Sequence, residues 1–435
     1  MIKQACLILG VILFLGISAS AFSEESAAQL IERVKKGELM EANAAWWGFN
    51  AEDSTDSLQA AIDSGAKKLV IPRMDSEWVV RPLHLRSNLE VVFEPGAVVL
   101  AKRGEYKNTG DSLFSANDCT DIVLRGFGAV LRMNKVDYQS AAYKKGEWRM
   151  VLDIQGCTNV LIEGLRLESS GGDGIYIGST GKQEFCKNVV IRDAICDDHH
   201  RQGISIISAI DLLIERTLML NTSGTAPQAG IDFEPNRPTE QLTNCIMRDC
   251  VLENNTGGNI LFYLKQLSKE SPPLSVIVEN CIVRNGVDAG VAVGMLDDDA
   301  PKGSIEFRKC TIENPGRAGA FVFDKSAESA VVRFTQCTWH NAWVGKEIKS
   351  DTPRVPLLLT VMHPKQCTKF GGIVFEDCQV YDTADRPVLK VETVRRGLGI
   401  HGLHGTLTVH NPNGARVDLG KDPVDVDLRL VEVRE

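Results

Sequence analysis

Asn159-Val-Leu-Ile162, Glu168-Ser-Ser-Gly-Gly-Asp173, Gly174-Ile-Tyr-Ile177; Asn188-Val-Val-Ile191, Asp197-Asp-His-His-Arg-Gln202, Gly203-Ile-Ser-Ile206; Asp211-Leu-Leu-Ile214, the turn Asn221 to Ala229, Gly230-Ile-Asp-Phe233: the stretch from 159 to 236 is one unit written three times. Asn159 to Gly174 and Asn188 to Gly203 each span fifteen residues, and Asp211 to Gly230 spans nineteen, so the third turn carries a four-residue insertion. The fifteen-residue spacing continues in Asn244 to Asn259, Ser275 to Gly290 and Ser304 to Gly319. An internal period of about thirty residues marks a solenoid, in which each unit packs only on its neighbours. Each unit holds two runs of alternating apolar residues bounded by Gly, Asn and Asp, a pattern of strands and turns. The predicted fold is all-β: a single right-handed parallel β-helix with an N-terminal capping helix.

Outward from that stretch, the chain divides into four expected parts. Lys3, the apolar run Ala5 to Ile17 and the small residues Ala19-Ser20-Ala21 read as a signal peptide over 1–21. Cys6 opens that run and does not close it, which argues against a lipoprotein. Residues 22–66 form a helical cap. Leu30, Ile31 and Val34 share one helix side, and Asp53-Ser-Thr-Asp56 supplies N-cap residues for a second helix that ends at Gly65. Its task is to cover the open apolar end of the solenoid. The β-helix proper is expected over 67–383, and 384–435 reads as a β-rich closing segment. A long polar and aromatic insertion from Met133 to Met150 either walls a groove or anchors itself through its own rings.

The chain has 435 residues and a formal net charge of −9 without a long basic run, which argues against nucleic acid as a partner. No run after the leader is long and apolar enough to span a membrane. The expected location is therefore secreted or periplasmic, and the expected state is a monomer. Cys250, Cys281, Cys310, Cys337 and Cys378 recur at one place in successive units, and Cys119, Cys157 and Cys186 form a second row. Stacked residues about 4.8 Å apart with parallel Cβ vectors suit free buried thiols and not disulfides.

The order Gly48-Phe-Asn-Ala51, Asp53-Ser-Thr-Asp56, a helix, Val70-Ile-Pro72 and Ser87-Asn-Leu-Glu-Val-Val-Phe-Glu-Pro-Gly-Ala-Val98 resembles the start of pectate-lyase-superfamily β-helix proteins and the related polygalacturonases. The resemblance covers most of the chain as fold. Polygalacturonases carry catalytic Asp residues directly before a Gly-Ile-like strand, and Gly172-Asp173-Gly174-Ile175 is similar to that arrangement. Their paired Asp, Gly-His-Gly and Arg-Ile-Lys are not matched here residue for residue.

Alternation along the strands points the Ile of each Gly-Ile-x-Ile inward, so an outward column runs Asp153, Tyr176, Ser205, Asp232. Glu234 lies further along it. Asp173, His199, His200, Arg201, Gln202 and Gln228 edge the same face. So many titratable groups in four adjacent rungs, and so few in the next three, mark a functional patch. Asp173 and Asp232, two rungs and so about 9–10 Å apart along the axis, are on the scale of an inverting glycosidase pair, and Asp153 with Asp173 is nearer the retaining spacing. The expected function is a glycoside hydrolase acting on an acidic or sulfated polysaccharide, with Asp173, Asp232 and Asp153 catalytic. His199, His200, Arg201, Gln202, Tyr176, Glu234 and Gln228 would bind substrate. No cofactor or metal is required. A lyase or epimerase would instead use Arg201 or a His as base and could bind Ca²⁺, for which Asp297-Asp-Asp299 is a weak oxygen cluster. A non-catalytic glycan-binding protein is the third reading. Asp198 aligns with Ser169, Asn221, Asn254, Asn285, Asn314 and Asn341 and reads as part of a polar turn ladder that satisfies backbone groups.

Overall fold

Three strands, not two, make each coil. In the second repeat these are Ile175–Gly178, Cys186–Arg192 and Ile195–Asp197, and the next coil repeats them as Gln202–Ile206, Ala209–Glu215 and Leu218–Leu220. Each pairs in parallel and in register with its copy one coil on. The computed structural model describes residues 25–343, 354–393 and 398–434, and the expected leader lies outside them. The chain is a right-handed parallel β-helix.

The extra corner explains a sequence pattern. A left-handed residue ends the long strand, at Gly164, Asp193, Arg216, Asp249, Asn280, Lys309, Gln336 and Asp377. The next residue turns inward, and it is Leu165, Ala194, Thr217, Cys250, Cys281, Cys310, Cys337 and Cys378 in turn. The five cysteines thus sit in one buried corner column, each thiol within hydrogen-bonding reach of a main-chain carbonyl of the preceding coil, as Cys310 is of Val278 O at 3.5 Å. The described cysteines are free.

Asn and Asp open the units for the same conformational reason. Asn88, Asp121, Asn159, Asn188, Asp211 and Asn244 all have positive φ, which these residues tolerate better than other side chains. The row Ser169, Asp198, Asn221, Asn254, Asn285, Asn314, Asn341 is also left-handed. Among the described residues its side chains bond to one another, as Asn254 Nδ2 does to Asn221 Oδ1 at 3.3 Å, or to a neighbouring carboxylate, as Asn221 Nδ2 does to Asp197 Oδ1 at 2.7 Å, and not to the backbone groups anticipated from sequence.

Inward side chains form one continuous core along the axis, with Phe233 stacked on Phe262 at 4.4 Å and Phe307 on Phe334 at 4.8 Å. At the N-terminal end, helix Ala27–Lys35 starts with a Ser26/Gln29 capping box. Helix Thr55–Ile62 buries Leu58, Ala61 and Ile62. Asp53 binds Arg81 at 3.1 Å and Lys102 at 2.9 Å, and Ser54 occupies the N-cap without a side-chain cap bond. Parallel pairing begins before this helix, where Glu41–Asn43 meets Lys68–Ile71. At the other end, Gly371–Tyr381 pairs with His401–His410, and that strand with Val424–Val433. The ladder therefore runs on through the segment beyond 384. No helix among the described residues is long and apolar enough to cross a membrane.

Candidate active site

One ladder carries the site. Its strands Leu152–Gln155, Ile175–Gly178, Gln202–Ile206, Ala229–Phe233 and Ile260–Tyr263 pair in sequence order. Ile175, Ile177, Ile204, Ile206, Ile231 and Phe233 point into the core and are buried. The alternate residues fall in one outward column, with Asp153 opposite Tyr176, Tyr176 opposite Ser205, Ser205 opposite Asp232, and Asp232 opposite Leu261.

Asp173 and Asp232 lie two rungs apart, and the rung between them supplies the groups that hold both. Ser205 Oγ donates to Asp173 Oδ2 at 2.7 Å. Arg201 Nη1 stands 3.5 Å from the same oxygen, and Arg201 Nη2 donates to Glu234 Oε2 at 3.0 Å. Gln202 Nε2 donates to Asp232 Oδ2 at 2.9 Å, while Gln202 Oε1 accepts from Ala229 N at 2.8 Å. Neither Asp173 nor Asp232 has solvent-exposed surface. The second oxygen of each, Oδ1, accepts from no donor among the described residues, while the Asp232 carboxyl lies close enough to that of Glu234 to share a proton with it.

Burial dominates the electrostatics. Desolvation pushes the Asp173 carboxyl up to about 7, against the opposing pull of Arg201 and the Ser205 hydroxyl. Desolvation and then the neighbouring Glu234 carboxylate raise Asp232 well above the ordinary range. Arg201 is partly desolvated too, but Asp173, Glu234 and Asp232 outweigh that cost and strengthen its hold on its proton. Arg201 is thus fixed as a cation between carboxylates, which counts against the proton-abstracting role that a lyase would give it.

The other sequence-chosen residues separate. Asp153 accepts from Gln155 Nε2 at 2.8 Å, apart from the network, and burial raises its carboxyl. The Tyr176 ring lies over Gly178, where an added Cβ would come 2.4 Å from the ring. His199 turns into the interior. It has no exposed surface, its Nδ1 lies 2.9 Å from Ser170 Oγ, and burial lowers it to about 3. Ser170, His199, Thr222 and Asn255 occupy the matching turn position in successive coils and are all buried, so His199 belongs to an inward polar column and not to the patch. His200 is nearly buried and packs against Gly224. Gln228 Oε1 accepts from Gly224 N at 2.8 Å and so braces its own turn. Ser205 was legible as an outward-column residue, but its bond to Asp173 was not.

The insertion contributes a wall. Tyr138 is buried within it, 6.3 Å from the buried Tyr106 ring of an earlier loop, and the buried Arg149 guanidinium donates to Tyr106 O and Lys144 O, both at 2.9 Å. Its rings anchor the loop, and the anchored segment covers the site: a Cβ on Gly172 would meet Glu147 O at 2.6 Å, and Met150 Sδ lies 3.1 Å from Asp173 N. Asp297 and Asp298 are used locally, with Asp298 Oδ2 accepting from Thr368 N at 2.9 Å and Asp297 Oδ1 from Asp299 N at 3.0 Å.

A family model described as right handed beta helix region matches residues 149–295, the span that carries this network. An uncharacterized protein, YclG of Bacillus subtilis (strain 168), is 24% identical over 220 residues, covering 44% of this chain and 37% of the relative, so only about a third of that protein's length is matched. Among solved structures, the Family 28 exopolygalacturonase of Yersinia enterocolitica is similar with a TM-score of 0.61 and 13% identity, over 91% of this chain and 78% of that one. The Agl-KA catalytic domain aligns with a TM-score of 0.57 and 11% identity, over 90% and 68% of the two chains. PfbA, a surface adhesin of Streptococcus pneumoniae, aligns with a TM-score of 0.57 and 12% identity, over 90% and 92%. At these identities the likeness is one of fold.

Proposed function

We propose that this right-handed parallel β-helix protein is an exported enzyme that hydrolyses glycosidic bonds in an acidic or sulfated polysaccharide. One observation carries the reading: Asp173 and Asp232 share an enclosed face, each with one carboxyl oxygen that accepts from no donor among the described residues and each with raised proton affinity. Carboxyls in environments of this kind are how a protein keeps a general acid protonated near neutral pH. In the proposed step Asp232 gives its proton to the leaving glycosidic oxygen as the bond from that oxygen to the anomeric carbon breaks. A water attacks the same carbon and passes its proton to Asp173, whose ionised form Arg201 favours at 3.5 Å. Substrate reaches the pair by displacing the cover that residues 147–150 lay on Gly172 and Asp173. Export rests on the leader expected over 1–21.

The test is a panel of acidic and sulfated polysaccharides, read for new reducing ends and ultraviolet absorbance together. Reducing ends without absorbance, lost in Asp173→Asn and Asp232→Asn, support hydrolysis. Full activity in both variants sinks the assignment, and absorbance from an unsaturated product assigns a lyase. The complete enclosure of both carboxyls supports a second reading, a glycan-binding β-helix in which the network is structural. Binding without turnover, unchanged by the two substitutions, is its signature.

A further inference from the structure

The two ends of the ladder are finished differently. Near the N-terminal end, helix Ala27–Lys35 lies against strand Glu41–Asn43 and buries Val34 there. At the other end, strand Val424–Val433 pairs on one edge with His401–His410, and no other described strand pairs with it. Leu403 and Leu407 are fully buried, whereas their register partners Val426 and Leu430 are only half-buried, as is Leu428 between them. The core therefore meets solvent along this strand. An earlier strand of the same ladder bends at a left-handed corner at Asp377, but no residue from Val426 to Val433 has positive φ. A long, unbent edge with unpaired N–H and C=O groups beside apolar side chains is a template for another strand.

The charges on the strand decide which strand fits. Asp427 and Arg429 flank Leu428, are exposed, and form no ion pair among the described residues. If two copies of this strand pair antiparallel with Leu428 at the centre, Leu428 faces itself. Asp427 of each copy then faces Arg429 of the other, and Val426 faces Leu430. Opposite charges and apolar pairs directly across an antiparallel ladder are stabilising, and like charges there are destabilising. Neighbouring registers fail this rule. Centring on Asp427 sets that carboxylate against itself, and centring on Arg429 does the same for the guanidinium. Centring on Val426 sets Asp425 against Asp427, and centring on Leu430 sets Leu428 against Glu432. In the favoured register Val424 faces Glu432, whose carboxylate is already held by Arg434 of its own strand.

We propose that the outer edge of Val424–Val433 is a homodimer interface, in which two copies pair antiparallel about a two-fold axis at Leu428 and join their cores end to end. A two-fold contact uses one surface on both copies and closes, so it builds a dimer and not a fibre. Head-to-tail stacking would have to place this edge against the end that helix Ala27–Lys35 occupies. The proposal replaces the monomer expected from the repeat alone, and it is independent of the carbohydrate reading.

The test is sedimentation equilibrium of the full chain across micromolar concentrations, where a mass twice that of the chain is expected. Asp427→Arg alone and Arg429→Asp alone each set like charges opposite one another and should weaken the dimer roughly tenfold. The double variant Asp427→Arg/Arg429→Asp should recover it, and an equimolar mixture of the two single variants should form a mixed dimer. Leu428→Lys should give a monomer. Opposed Cα atoms in an antiparallel pair are about 4.5–5.5 Å apart, within disulfide reach, so Leu428→Cys should cross-link two chains under mild oxidation while the parent does not. Melting temperatures show whether each variant folds; should Leu428→Lys not fold, the charge-exchange series carries the test. The proposal is overturned if the parent stays monomeric, if its mass grows past the dimer with concentration, or if the dimer is indifferent to Leu428→Lys and to both single charge reversals. It is also overturned if the double variant stays as weak as the single ones.

Discussion

Arg201 and Asp173 form an ion pair across adjacent rungs, Nη1 to Oδ2 3.5 Å, in which the carboxyl has no exposed surface and the guanidinium is 13% exposed. The same guanidinium holds Glu234 at 3.0 Å. One cation thus balances two carboxylates and feels the charge of a third, Asp232. Removing a partner from a buried pair costs far more than the pair itself contributes, because the remaining charge is left without solvent or counterion.

Arg201→Gln is accordingly expected to destabilise the protein by roughly 3–5 kcal/mol, read as a lower urea midpoint. Adding Asp173→Asn should recover part of that loss. If Arg201→Gln unfolds at the parental midpoint, the pair is not buried in solution.

The pH response of Asp173 has a definite sign. Its carboxyl sits at about 7 in the folded chain against 3.8 for an ordinary aspartate. Between those values the native state holds a proton that the unfolded state has released, so this site's contribution to stability falls as pH rises through the window. Asp173→Asn should therefore gain stability relative to the parent as pH climbs from about 4 to about 7, by at most roughly 4 kcal/mol. Thermal melts of both proteins across that range test this, and a constant difference refutes it.

His199 is expected to matter for folding and not for ligand. The next coil carries Thr222 at the same buried turn position. His199→Thr should fold with a melting temperature a few degrees lower and leave the affinity for any bound polysaccharide unchanged. A tenfold loss of affinity with unchanged melting would place His199 back in the site.

The thiols give a chemical check. The eleven cysteines of the described residues are free, and ten are buried while Cys119 is partly exposed. The neighbouring Cys157 side chain lowers the Cys119 thiol to about 6. In native protein a thiol reagent should modify Cys119 first, and Cys119→Ala should abolish that fast phase. In denatured, unreduced protein all eleven should react. Few reactive thiols would mean disulfides.

The repeat was written in the sequence because a solenoid is locally determined. Asn159, Asn188 and Asp211 mark left-handed positions, and Gly-Ile-x-Ile marks strands, wherever the unit recurs; stacking then follows from burying the alternate side chains. That reasoning put Asp153, Tyr176, Ser205 and Asp232 in one column, as the register has them. It counted two strand runs per unit where a left-handed corner at Gly164 or Asp193 adds a third strand, since a two-residue turn leaves little mark on an apolar pattern. Direction and depth at the turns were decided only by tertiary structure. Whether His199 faces in or out depends on the φ and ψ of the turn and on Ser170 one coil away. The enclosure of Asp173 depends on an insertion from 133 to 150 folding back over Gly172. Such contacts join residues far apart in the chain, through side chains whose aim is set by packing and not by the period, so the column was legible and its chemistry was not.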